Sequence, residues 1–130
     1  PGMQIRRWHP VGPGRFVTMD THAPFVGVHS PRVALSAVAP RGIEQSGLDV
    51  RRGKRYTGYL YLRATPGAKV RVTLRWGRGA QARQTVTFPY VPAHFTRLPF
   101  RFTAGASSQD ARFEVTGTGA GAFTVGAASL

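Results

Sequence analysis

The sequence predicts an all-β fold, a two-sheet antiparallel β-sandwich, on three observations. Apolar and polar residues alternate at a period of two in several short stretches, and a strand sends alternate side chains to opposite faces. No window keeps the i, i+3, i+4, i+7 apolar spacing of a helix for three turns. Sixteen glycines and ten prolines among 130 residues break the chain into segments roughly 8 to 14 residues apart, which is strand spacing in a sandwich.

Taken in order, Phe16 to Met19 is the first candidate strand. Residues 1–30 are otherwise the least regular part, and His9-Pro10-Val11-Gly12-Pro13-Gly14 reads as loop because Gly and Pro break regular structure. Arg32 to Val38 alternates, with Val33, Leu35 and Ala37 on one face, and Gly42 to Gln45 reads as a short strand. In Tyr56 to Ala64, Leu60, Leu62 and Ala64 share one face, while Thr57, Tyr59, Tyr61 and Arg63 share the other. Lys69 to Trp76 points Val70, Val72, Leu74 and Trp76 inward and Arg71, Thr73 and Arg75 outward. Arg83 to Phe88, Phe95 to Phe102, Ala111 to Thr116 and Ala122 to Leu130 complete the set. Segments such as "TPGAK", "WGRGAQ" and "GTGAG" carry turn chemistry between them. There is no repeat and no linker, so residues 1–130 read as one domain.

Charge is the unusual feature. Lys and Arg number 18 against five Asp and Glu, for a formal net charge of +13, and 16 of the 18 are arginine. Such a balance points to an anionic partner or to arginine-coated strand faces. The basic residues are dispersed, with local groups only at Arg6-Arg7 and Arg51 to Arg55. No cysteine is present, so neither disulfide nor thiol chemistry enters. No apolar run of about 18 residues would cross a membrane as a helix, and the first ten residues lack the apolar core of a signal peptide.

Catalytic and metal motifs are absent. A glycosidase needs two carboxyl groups about 5 to 10 Å apart across a cleft; Asp20, Glu44, Asp49, Asp110 and Glu114 read more simply as turn residues or arginine partners. His9, His22, His29 and His94 with Asp20 match no zinc spacing. Ser46 and Ser108 lie outside any Gly-x-Ser-x-Gly pattern. Gly117 to Gly121 leads into a strand, not a helix that would hold phosphate, and reads as a hairpin turn. Arg55 to Leu62 faintly echoes an RNA-recognition strand without that domain's helices, so a nucleic-acid partner is disfavoured.

A sugar offers an apolar CH face to an aromatic ring and hydroxyls to neighbouring polar groups. Tyr59 and Tyr61 supply rings. Arg63, and Arg71, Thr73 and Arg75 expected on the adjacent strand, supply donors suited to hydroxyls and to uronate carboxylates. Thr57 belongs to the same face, and Trp8 is a loop aromatic placed to gate a cleft.

The stretch "SPRVALSAVAPRGIEQSGLDVRRGKRYTGYLYLRATPGAKVRVTLRWG" resembles carbohydrate-binding modules of the family 4/9/16/22 group. Phe95 to Phe102 and "GAFTVGAASL" are similar to that group's later strands. Most of all, "RRWHPVGPGRFVTMD", "PFVGVHSPRVAL" and "VGAASL" resemble the N-terminal β-sandwich of family 51 glycoside hydrolases, the α-L-arabinofuranosidase type. The likeness runs from Arg6 to Leu130 through framework residues in order. It implies a jelly-roll with no catalytic glutamates of its own. It implies a non-catalytic module that binds plant cell-wall polysaccharide, neutral or acidic, and targets an attached glycoside hydrolase, secreted or at the surface of a bacterium. Thr57, Tyr59, Tyr61, Arg63, Arg71, Thr73 and Arg75 would then face one concave sheet. Many such modules hold a structural calcium through an Asp in the last strand; Gly126-Ala127-Ala128 stands there instead, so no metal or other cofactor is expected. Two further expectations remain: a domain that docks on its own catalytic partner without binding glycan, and a basic domain that binds anionic polymer.

Overall fold

The computed structural model describes residues 8–20 and 30–130. His22, His29, Arg6, Arg7 and most of "PFVGVHS" lie outside them. Among the described residues the chain forms β1 (His9–Val11), a single 3-10 turn (Gly14–Phe16), β2 (Val17–Asp20), β3 (Ser30–Ala34), β4 (Arg41–Val50) and β5 (Arg55–Ala64). Then follow β6 (Ala68–Arg75), β7 (Arg83–Phe88), β8 (Thr96–Thr103), β9 (Ser108–Gly119) and β10 (Ala122–Ser129). They make two five-stranded antiparallel sheets, ordered β1-β4-β9-β6-β7 and β2-β3-β10-β5-β8. We call the first the charged sheet and the second the tyrosine sheet, after their outer faces. The predicted all-β sandwich is what the chain forms.

The core lies between the sheets. Val72, Leu74, Phe113, Val115 and Ile43 come from the charged sheet, and Val33, Leu60, Leu62, Phe102 and Phe123 from the tyrosine sheet; all are fully buried. Each contributes about 1.5–3 kcal/mol relative to exposure. Phe113 of β9 ties the layers together, stacked on Phe100 of β8 at 5.3 Å and edge-on to Phe102 at 6.3 Å between centroids.

Several expectations are corrected. His9–Val11 is not loop but an edge strand paired with Gly42–Glu44. Pro10 is tolerated there because an outermost strand has no second neighbour to receive its missing N–H. β3 stops at Ala34, and Leu35 packs on the core from beyond the strand. β4 runs to Val50 rather than Gln45, with register shifts between Gln45 and Leu48 and between Leu48 and Val50. Such irregularities break the period of two that a reading of the sequence follows.

The largest correction concerns connections. β5 lies in the tyrosine sheet and β6 in the charged sheet, so Thr65-Pro66-Gly67 is an arch between layers, not a hairpin. Gly117 to Gly119 end β9, and Ala120-Gly121 is a second arch, from β9 to β10, not a hairpin turn. The two arches touch. The Ala122 N–H donates to Thr65 Oγ1 at 2.9 Å. Gly121 has φ +79°, and a Cβ there would run into that hydroxyl, so both the conformation and the space require glycine.

Candidate functional site

The register of the charged sheet sets its outer face in rows. His9, Glu44, Glu114, Thr73 and Thr85 stand opposite one another across all five strands. On one side of that row lie Val11, Gly42, Thr116, Arg71 and Thr87. On the other, Arg112, Arg75 and Arg83 face each other on β9, β6 and β7. Two ion pairs hold the rows together. Arg75 Nε donates to Glu114 Oε2 at 2.8 Å, and Arg112 Nη1 lies 3.9 Å from Glu44 Oε1. The hydroxyls of Thr73 and Thr85 are 3.0 Å apart.

Above these rows are two depressions that share Arg75 and Glu114. One, of about 630 Å³, lies over Arg71, Thr73, Arg83, Thr85, Thr87 and Thr116, between Val11 and Pro40 at one side. The other, of about 590 Å³, continues past Trp76 and Arg78 to Ser108, Asp110 and Arg112. Together they form a polar groove along the sheet, with the Trp76 indole part of the lining of the second. Trp76 is half-buried against the core. A Cβ at Gly105 would come within 2.7 Å of the indole, so glycine leaves room for the ring. Trp76, expected inside, both closes the core and lines the groove.

The outer face of the tyrosine sheet is built differently. Its rings and cations engage one another. Tyr59 and Tyr61 meet edge to face at 5.8 Å. Arg97 lies over the Tyr59 ring at 4.4 Å, and Arg63 over Phe95 at 4.5 Å. Arg63 Nη2 also donates to Asp20 Oδ2 at 2.6 Å. A shallow, open depression of about 620 Å³ lies beside Tyr59, over Thr57, Arg97, Pro99, Arg101 and Ser129.

The candidate residues named from sequence therefore divide. Thr57, Tyr59, Tyr61 and Arg63 share one outer face. Arg71, Thr73 and Arg75 lie on the opposite outer face of the sandwich, not on an adjacent strand. Trp8, immediately before β1, is half-buried on the core, 6.3 Å from Phe113. Sequence reasoning missed Glu114, Thr116, Arg112, Arg83, Thr85 and Thr87 as partners of Arg71 and Arg75. The signal was present in the alternation of Arg83–Phe88 and Ala111–Thr116, whose outward positions carry them. Among the described residues no three His, Asp or Glu side chains gather on one point. Gly126, Ala127 and Ala128 carry no side-chain carboxylate.

The chain matches no family model and no curated protein. Solved structures do share its architecture. A family 16 carbohydrate-binding module superposes with a TM-score of 0.64 at 16% identity, covering 88% of this chain and 84% of that one. The chain has the fold of a carbohydrate-binding module. Another similar structure is the pair of CBM22-1 and GH10 modules of xylanase 10B from Clostridium thermocellum, complexed with xylohexaose, with TM-score 0.68, 14% identity and 93% of this chain covered. A third is the enzymatically active domain of tailspike protein 4 from bacteriophage CBA120, with TM-score 0.65, 12% identity and 92% of this chain covered. This module-like chain spans 25% of the xylanase structure and 18% of the tailspike.

Proposed function

We propose that this domain is a non-catalytic glycan-binding module that holds a polysaccharide chain in the groove of the charged sheet. The observation that carries the reading is the pair of adjoining depressions over β9, β6 and β7, lined by arginine, threonine, Glu114 and Trp76. Forked guanidinium donors, hydroxyls and a carboxylate acceptor match the mixed donors and acceptors of sugar hydroxyls, and an indole matches a pyranose CH face. The carboxylates support binding rather than catalysis. Glu44 and Glu114 are neighbours within one sheet, each tied to an arginine, not an acid and a nucleophile facing each other across a cleft.

The finer parts of the proposal rest on the resemblance of stretches such as "RRWHPVGPGRFVTMD" to family 51 N-terminal domains, which is read from the sequence alone. The partner is plant cell-wall polysaccharide, and a covalently attached glycoside hydrolase outside the bacterial cell is what the module serves. Tethering raises the effective concentration of polymer at the catalytic domain. The depression beside Tyr59 favours a second reading, in which Tyr59 and Tyr61 are the stacking platform with Thr57 and Arg63 beside them. Against it, one face of Tyr59 is already covered by Arg97, and Arg63 is tied to Asp20.

Affinity electrophoresis against arabinoxylan, arabinan, mixed-linkage glucan and pectin identifies a ligand, and amide chemical shifts then map it. The expected result is movement of amides in β6, β7 and β9. Movement confined to β5 and β8 would transfer the site to the tyrosine sheet. Retention by no polysaccharide would leave a domain that docks on its own catalytic partner.

A further inference from the structure

Resting on that reading, we infer that the groove selects glycans carrying carboxylates, that is uronic-acid polymers, and that Arg71 and Arg83 with the free end of Arg75 recognise the carboxylate. Three features of the charged face lead there. First, Arg83, Arg75 and Arg112 stand directly opposite one another on three neighbouring strands. Like charges in such positions repel, so an unliganded face holds a repulsion that a bound anion relieves. Second, the two depressions are lined by five arginines and two carboxylates, so the groove keeps an excess of positive charge after internal pairing. Third, the surplus lies on definable groups. Among the described residues, Arg71 and Arg83 have no carboxylate partner. Arg75 gives Nε to Glu114, which leaves its two terminal nitrogens for a ligand.

Geometry separates the carboxylate-bearing glycan from nucleic acid. A polynucleotide carries a phosphate at every step and gains from rows of stacking rings. Here Glu114 and Asp110 interrupt the cationic lining, and among the described residues Trp76 is the one aromatic along it. Threonine hydroxyls between the arginines suit sugar hydroxyls lying between spaced carboxylates. Guanidinium is the side chain suited to such an oxyanion, because its parallel N–H groups match both carboxylate oxygens.

The test uses polymers that differ only in the carboxyl group. Polygalacturonate, glucuronoxylan and alginate are each compared with their carboxyl-reduced forms by affinity electrophoresis in about 0.15 M salt, where charges beyond about 8 Å are screened. At least one native polymer is expected to bind ten-fold or more tightly than its reduced partner. Arg71→Gln/Arg83→Gln should abolish that preference, so that native and reduced polymers are retained alike. Arg52→Gln/Arg55→Gln removes equal charge from exposed positions outside the groove and should keep the preference. Circular dichroism confirms that both variants are folded. Equal binding of native and reduced forms overturns the inference and leaves the glycan-binding reading intact. Equal loss in both variants assigns the preference to net charge and also overturns it. Tighter binding of oligothymidylate than of any glycan replaces it with a nucleic-acid site. Retention of no polymer in either form removes the glycan-binding reading and the inference together.

Discussion

On the charged face, Arg75 hands one nitrogen to Glu114 and meets Arg83 and Arg112 across the strands. On the tyrosine face, Arg97 and Arg63 are each laid on an aromatic ring, and Arg63 closes on Asp20 as well. Both faces carry arginine at alternate positions, yet one turns donors into a groove while the other lays Arg97 and Arg63 on its own rings. The difference shows why a ring and a cation on one strand face are weak signs of a binding site. Aromatic and guanidinium groups side by side satisfy each other. Cations set against cations, with hydroxyls between, remain available to a ligand.

Substitutions distinguish the two faces. The largest effect is expected in the layer that supports both faces. Phe113→Ala should cost about 3–5 kcal/mol, the usual range for a buried aromatic truncated to alanine, read as a lower urea midpoint with both faces lost together. Next, Glu114→Ala should cost about 2–3 kcal/mol, because it leaves Arg75 between two other arginines without its acceptor. Asp20→Ala should cost less by the same measurement, since Phe95 still covers Arg63. Equal losses from the two would mean that the arginine row adds no strain to the charged face.

Gly105→Ala sharpens the role of Trp76. The added methyl meets the indole, and overpacking of this kind should cost about 1–2 kcal/mol. A shift in tryptophan fluorescence with weaker glycan retention is expected; destabilisation with unchanged retention would remove Trp76 from the site. The smallest effect belongs to the tyrosine face. Arg97→Gln should lose about 0.5–1 kcal/mol of cation–π contact in thermal unfolding and leave retention on polysaccharide gels unchanged. A clear drop in retention would instead favour the site beside Tyr59.

Much of the fold was legible because strand faces follow from alternation. Tyr56–Ala64, Lys69–Trp76 and Arg83–Phe88 agree with β5, β6 and β7 to within a residue. Leu60, Leu62, Val72 and Leu74 are inside, as their spacing requires. β1 was hidden by its Pro and Gly neighbours, which are as frequent beside an edge strand as in a loop. The far half of β4 was hidden by its irregular register. The site was legible only in halves. Arg71, Thr73 and Arg75 read as outward, but so did Tyr59, Tyr61 and Arg63, and nothing in "ATPGAK" says whether the chain turns within a sheet or arches between two.

Local sequence makes the chain an all-β sandwich, strongly basic, with arginine and threonine on the outer face of β6 and tyrosine on that of β5. Those properties depend on composition and on a period of two, both local. Tertiary structure decided which strands became neighbours. By sending β5 to one sheet and β6 to the other, it separated the tyrosines from the arginine row and set Arg75 beside Glu114, 39 positions away in the chain. Such pairing is fixed by packing the two apolar faces against each other, a long-range requirement that no single stretch of residues records.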